Sequence, residues 1–332
     1  MSLLRSDRLL IAFASVMCAL QAVPTIGLAQ QPPATADRQG AEQQLAENLR
    51  LDRPLRVMTA NIWYYQEPYA ARMKLLRARI EALSPDLIGF QEAGWAPGEE
   101  HQVSQLLKDL GYFIHHERDG IPPAEQPTKK QLLDVAVASR WPTSKVELWQ
   151  LPGTGKALAV QVAVPEPFGP LLFVSTFGTA RWQLNRESYR EQGAVALDQH
   201  VRERASSEGF PPIIAGDFDA VPEAASIRYL TGLQSLAGKS THYRDAWAWA
   251  GDPEQAGFTW TTRSPYVAKI ARDAFQADSH HRRIDYILVG SPHHYRRLAR
   301  IVSCRVVLDS PDDAGVWPSD HFGVLAEIST EQ

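Results

Sequence analysis

The stretch PPIIAGDFDAVPEAASIRYL, Pro211 to Leu230, runs the apolar residues Ile213-Ile214-Ala215 into Gly216 and then into two carboxylates, Asp217 and Asp219, with Phe218 between them. A short, continuous apolar run bounded by a glycine reads as a strand buried in a sheet. Gly216 allows a tight exit from it, and Phe218 is free to turn back into the core. Two like charges at the mouth of a buried strand call for solvent, a counter-charge or a cation. The plain structural alternative is that Asp217 caps a helix beginning in AASIRYL.

Working outward, strands and helices alternate. LRVMTANIWYY from Leu55 is a β-type run, and ARMKLLRARIEALSPD follows with Met73, Leu76, Ile80 and Leu83 at helical spacing up to Pro85. DLIGFQE is the next strand, and EEHQVSQLLKDLGY is a helix closed by Gly111. DVAVASRWP, ALAVQVAVP and PLLFVSTFG read as strands, and a long helix spans about Asn185 to Glu203. After PPIIAGDFD come the strands RIDYILVG, IVSCRVVLD and FGVLAEIS. This order predicts one mixed α/β domain with sheet packed on sheet and helices outside. Residues 117–131 and 262–283 read as long connections, and long connections on compact domains are usually functional or mobile.

Polar residues recur where these strands run out. Asn61 ends LRVMTAN, Glu92 ends DLIGFQE and Asp217 ends IIAGD; Asp285 sits in RRIDYILV, and Ser319-Asp320-His321 precedes FGVLAEI. Each alone has a structural explanation: a turn residue, a helix cap, a satisfied buried acid. Together they mark sheet ends, where strands fix positions and loops supply variety. Oxygen ligands with one histidine suit a hard cation such as Mg²⁺ or Mn²⁺. Zinc would want more imidazole or thiolate, and no His-x-x-x-His pair is present. The pairs His115-His116, His280-His281 and His293-His294 are not spaced to converge on a metal and are expected in solvated loops.

Two other motifs fail. LPGTGKAL lacks the first glycine of a phosphate-binding loop, Gln150 standing there, and Ala157 replaces its Ser/Thr. With no Gly-x-Ser-x-Gly elbow, Ser319 is not a nucleophile candidate, and three consecutive residues cannot face one another as a triad.

Composition narrows the setting. The 332 residues are 44% hydrophobic with a formal charge of -4, enough for a large core. Residues 1–29 carry Arg5 and Arg8, an apolar stretch from Leu9 to Val23 and the small-residue end Gly27-Leu28-Ala29, the pattern of a secretory signal peptide cut after Ala29. The stretch is short of the roughly 20 apolar residues a membrane span needs. Residues 30–50 read as a polar linker, and 51–332 as the catalytic domain, in a secreted or periplasmic protein. Without residues 1–29 the chain has 32 basic and 37 acidic residues, net -5, which disfavours broad non-specific nucleic-acid binding. HHRRID and HHYRRLAR are nonetheless local basic runs suited to a polyanion. Cys304 is the one cysteine left and reads as a buried strand residue.

The pieces MTANIW, PDLIGFQE, VAVASRWP, IIAGDFDAVP, RRIDYILV and PSDHFGVLAEI, in this order from Leu55 to Ile328, resemble the metal-dependent endonuclease/exonuclease/phosphatase superfamily. The resemblance implies a four-layer α/β sandwich, two packed mixed β-sheets flanked by helices, with its site at one edge. It implies Glu92, Asn61 and Asp320 for the metal, Mg²⁺ or Mn²⁺. Asp217 would handle the attacking water, His321 the scissile phosphate, and Asp285 the His321 ring. The implied activity is phosphodiester hydrolysis, on nucleic acid, a nucleotide or a phospholipid headgroup, by a monomer without an obligate protein partner. A phosphomonoesterase and a catalytically impaired phosphate-binding protein are the alternatives.

Two departures stand out. Asp219 occupies a position where the family usually has Asn, and a carboxylate cannot donate to phosphate. Phe177 stands where many relatives carry a histidine. Asp219 and the nearby Arg181 are the substrate-binding candidates. Trp63, Trp95, Trp182 and Trp317 flank the matched motifs, either to stack on a base, to lie at a lipid surface, or simply to pack.

Overall fold

The computed structural model describes residues 50–121, 129–179, 186–273 and 281–330. The leader, most of the linker, Arg181, Trp182 and His280 therefore lie outside the described residues.

The first half of the chain forms β1 (Leu55–Asn61), α1 (Tyr69–Leu83), β2 (Leu87–Trp95), α2 (Gln102–Leu106), β3 (Phe113–His116), β4 (Gln131–Ser139), β5 (Thr143–Gln150), β6 (Lys156–Val162) and β7 (Leu171–Phe177). The second half forms α3 (Glu187–Arg204), β8 (Ile213–Asp217), α4 (Ala225–Leu230), β9 (Tyr243–Asp245) and α5 (Ala246–Ala250). After them come β10 (Trp260–Thr261), α6 (Pro265–Asp273), β11 (His281–Arg282), β12 (Asp285–Gly290), β13 (Arg300–Val307) and β14 (Gly323–Ser329).

Two six-stranded mixed sheets result, ordered β13-β14-β1-β2-β4-β3 and β5-β6-β7-β8-β12-β9. Their facing sides share one apolar core, in which Val57, Leu87 and Val137 of the first sheet meet Leu158, Phe173 and Ile287 of the second. The outer face of the first sheet is covered by Leu76 and Ile80 of α1 with Val103 and Leu106 of α2. Ala194, Leu197 and Val201 of α3 and Ile227 and Leu230 of α4 cover the second. Each helix buries a stripe three to four residues apart, as packing on a sheet demands. The four layers match the expected sandwich.

β8 is enclosed on both sides, parallel to β7 and antiparallel to β12, and all five of its residues are buried. Gly216 serves close approach rather than a turn: a Cβ there would lie 2.1 Å from the carbonyl oxygen of Thr176 on β7. Phe218 packs on the helix-covered face of the second sheet, edge-on to Tyr286 with ring centroids 5.5 Å apart.

Three sequence expectations need correction. The helix expected up to Gly111 is helical only over Gln102–Leu106, although Gly111 does take a positive φ of 72°. Residues 262–283 are not merely a connection, since α6 and β11 lie within them. His115 and His116 are not solvated loop residues: they belong to β3, and His116 is buried with its ring stacked 3.7 Å from His101. Burial, followed by its histidine and arginine neighbours, pushes His116 down to about 3. His293 and His294 do lie exposed, and Cys304 is buried in β13. LPGTGKAL forms the β5–β6 hairpin, with Lys156 paired to Glu117 at 2.8 Å.

Candidate active site

Strand polarity brings the singled-out residues to one rim. β1 and β2 run parallel; β1 ends at Asn61, and its pairing with β2 stops at Gln91. Glu92, which the sequence placed at a strand end, lies inside β2 just past the paired stretch. β14, antiparallel to β1, is entered through Ser319-Asp320-His321. In the other sheet β8 ends at Asp217, and Asp285 begins the antiparallel β12 directly opposite it. Sequence-distant carboxylates thus converge because each sits where a strand enters, leaves or stops pairing at the same edge.

Asn61 joins the two sheets. Its Nδ2 donates to Asp217 Oδ2 at 3.0 Å, and its Oδ1 accepts from the Trp63 amide at 3.1 Å. Beneath it, Thr59 Oγ1 donates to Gln91 Oε1 and Gln91 Nε2 donates to Ser175 Oγ on β7, at 3.0 and 3.1 Å. The rim therefore rests on a buried, hydrogen-bonded bridge between sheets, which fixes both halves of the site.

Glu92 takes a left-handed φ of 49° where the β2–β4 register slips between Phe90 and Ala93. Bulges re-aim side chains, and a strained non-glycine backbone at such a slip is characteristic of functional positions. One donor atom each from Glu92, Asp217 and His321 lie within 4.8 Å of one another.

The electrostatics follow from this crowding. Burial, then the neighbouring Asp320 charge, pushes Glu92 up to about 8, although His321 and an Asn61 hydrogen bond act the other way. Burial likewise lifts Asp217 to about 7; His321 opposes it, while Asp285 and Asp219 add to it. Asp320 is also raised, mainly by burial. For His321, burial alone would lower the pKa. The Asp285 and Asp217 charges and the Nδ1–Asp285 Oδ2 hydrogen bond of 3.0 Å outweigh it and hold the imidazolium well above the usual range. Asp285 Oδ1 is buried without a hydrogen-bond partner.

A rim of buried carboxylates with raised pKa values is short of positive charge, and oxygen donors of this kind fit a hard divalent cation. Glu92 and Asp320 have the chemistry to hold it, with Asn61 beside them. A protonated His321 is a donor to an anion rather than a metal ligand.

Asp219, the odd carboxylate of the opening stretch, has its charge met. Arg282 Nη1 reaches its Oδ1 at 2.8 Å, and the Asp219 amide donates to Asp217 Oδ1 at 2.9 Å. Asp219 too is left-handed, with φ 45°. The short β10–β11 pair carrying Arg282 also braces the rim: Trp260 bridges to His321, and Thr259 Oγ1 accepts from the amides of Ile284 and Asp285. Phe177 lies level with Asp217 across the parallel pair, buried in the inter-sheet core.

One residue had no signal in the sequence. Arg72, on α1, is completely buried and donates to the carbonyls of Ile62, Trp63, Tyr64, Gln66 and Pro318 at 2.9–3.1 Å. It ties the loop after Asn61 to the segment that carries Asp320 and His321. Of the tryptophans, Trp63 lies 4.8 Å from Tyr266 and Trp317 5.5 Å from Phe322, ring to ring, while Trp95 is buried under Arg118.

Similar folds occur among solved structures. The D. rerio TDP2 complexed with single strand DNA product aligns with a TM-score of 0.60 at 16% identity, over 84% of this chain and 100% of that one. The human Nocturnin catalytic domain with bound sulfate anion gives 0.59 at 20% identity, over 85% and 94%. An endonuclease/exonuclease/phosphatase from Bacteroides vulgatus gives 0.59 at 19% identity, over 83% and 99%. No curated protein matches the chain by sequence. Identities this low establish a common fold and nothing finer. Membership comes from the sequence pattern itself, which matches the Endonuclease/Exonuclease/phosphatase family over residues 58–321, and the chain belongs to that family.

Proposed function

We propose that this protein is an exported, divalent-cation-dependent hydrolase that cleaves a phosphodiester by attack of water. The observation that carries the reading is the convergence of half-buried Glu92 with buried Asp217 and His321 within 4.8 Å at a carboxylate-rich rim. Export rests on the leader read in residues 1–29.

Glu92 and Asp320, with Asn61 beside them, would hold Mg²⁺ or Mn²⁺, which supplies positive charge to the phosphate oxygens. Asp217 orients the attacking water and takes its proton, a task for which a carboxyl lifted to about 7 is suited. His321, kept protonated by Asp285, donates to a phosphate oxygen as negative charge gathers there. Asn61 holds the Asp217 carboxylate in place through its amide. Nucleic acid, a nucleotide and a phospholipid headgroup all present the required bond. The DNA product in the TDP2 complex and the sulfate in Nocturnin are in keeping with a phosphate-binding rim.

Hydrolysis of bis(4-nitrophenyl) phosphate with Mg²⁺ or Mn²⁺, against an EDTA control, tests the reading. Turnover that needs the cation and is lost in His321→Ala is expected. Binding of phosphate without turnover would overturn the enzyme assignment, and activity on 4-nitrophenyl phosphate alone would make the protein a monoesterase. Screening DNA, RNA, sphingomyelin and phosphoinositides then separates the substrate classes.

A further inference from the structure

Among the described residues, Arg72, Arg282 and Arg283 lie in segments next to the rim, and they are not equivalent. Arg72 is consumed by backbone carbonyls. Arg283 faces Asp245 at 2.8 Å, behind the site. Arg282 differs: its side chain is only 8% exposed, its Nη1 is held by Asp219 Oδ1 at 2.8 Å, and its Nε is buried with no hydrogen-bond partner. The guanidinium lies over the ring of Trp260, 4.3 Å from the centroid, and Trp260 is the residue bridged to His321. Asp219 in turn bonds through its amide to Asp217. Arg282 is therefore clamped between the segments that carry Asp217 and His321, with its Nε–H left without an acceptor.

We infer that Arg282 is a substrate-binding residue that takes a non-bridging oxygen of the substrate's phosphoryl group, and that Asp219 is its positioning partner. Stacking on an indole and pairing with a carboxylate fix the guanidinium plane in advance, so little side-chain freedom is lost when an anion arrives. A phosphoryl oxygen at the free edge supplies the acceptor that Nε lacks, in a charge-assisted bond. The carboxylate at position 219 then serves the phosphate site instead of opposing it, because its charge is spent on holding the cationic group. The inference rests on the phosphoesterase reading but adds a residue to it, and phosphate binding tests it without turnover.

The experiment uses the purified chain with Mn²⁺. Inorganic phosphate is measured both as an inhibitor of bis(4-nitrophenyl) phosphate hydrolysis and as a ligand that raises the melting temperature. Arg282→Met should raise KM and the phosphate inhibition constant by about tenfold or more, with a smaller change in kcat, and should abolish thermal protection by phosphate. Arg282→Lys, which keeps the charge and the Asp219 pair but not the planar fork, should recover only part of the binding. Asp219→Asn, which leaves the guanidinium unclamped, should weaken phosphate binding by about threefold to tenfold. If Arg282→Met and Arg282→Lys both lower the melting temperature while KM and phosphate protection stay at wild-type values, the pair is structural and the inference is overturned. If phosphate protects the wild type and not Arg282→Met, yet no substrate is hydrolysed, the inference stands and the hydrolase reading falls.

Discussion

Asn61 on β1 and Asp217 on β8 belong to different sheets, and a single 3.0 Å hydrogen bond from amide to carboxylate joins them at the rim. The bond fixes the Asp217 oxygen nearest the imidazole, 3.9 Å from His321 Nε2. Asn61→Ala should therefore lower kcat by about 10²-fold, the scale on which one preorganised polar contact acts in a site of this kind. Asn61→Asp should be worse, because it sets a further like charge against Asp217. Steady-state kinetics of the two variants check the order, and equal activities would show that the bond does not position the base.

The Asp285 carboxylate is the first of the groups that together outweigh burial at His321, ahead of Asp217. Asp285→Asn removes that charge, so the His321 pKa falls. Activity that requires the imidazolium is then lost at lower pH. The alkaline limb of the kcat profile should move down by at least one pH unit, with kcat at its optimum reduced by about 10²-fold or more. A pH–rate profile of the variant measures both.

Glu92 and Asp217 have folded pKa values of about 8 and 7, above the ordinary carboxyl range. Between the unfolded and folded values the native state binds more protons than the unfolded chain, so metal-free stability falls as pH rises from about 4.5 to 8. His321, raised above its ordinary value, acts in the same direction above about pH 6.5. A divalent cation relieves the repulsion, so Mn²⁺ should raise the melting temperature more at pH 8 than at pH 5, by roughly 5 °C or more. Melting curves at the two pH values, with and without EDTA, give the comparison; an equal gain at both would place the cation elsewhere.

Arg72 meets five carbonyls from two separate segments. Arg72→Met fills much of the volume but leaves buried acceptors unpaired. It should cost about 3–4 kcal/mol in chemical denaturation, with a loss of activity even under conditions where the variant is folded. A destabilised variant with wild-type kcat would limit Arg72 to a structural role.

Much of this was legible in the residues. IIAGD could be read because a strand covered on both faces must be apolar throughout, and the recurrence of polar residues at strand ends outweighed the structural explanation each has alone. The order of the elements then put Glu92, Asp217, Asp285 and His321 at sheet ends. Arg72 was illegible because an arginine on an amphipathic helix ordinarily faces water, and only the path of the neighbouring loops buries it. The Asp219–Arg282 pair spans 63 residues of chain, and no local pattern announces such a contact. β10 and β11, of two residues each, are too short to show a period. His115 and His116 looked like loop residues because two adjacent polar side chains break the alternation of a strand; β3 accepts them at a sheet edge, with His116 turned inward.

Phe177, sealed in the wall beside Asp217, also bears on how the rim ionises. A benzyl ring brings neither charge nor proton to the Asp217 carboxyl, so β7 offers that group no titrating neighbour at this level. Phe177→His should add a further ionisation to the pH–rate profile, and an unchanged profile would show that position 177 does not reach Asp217.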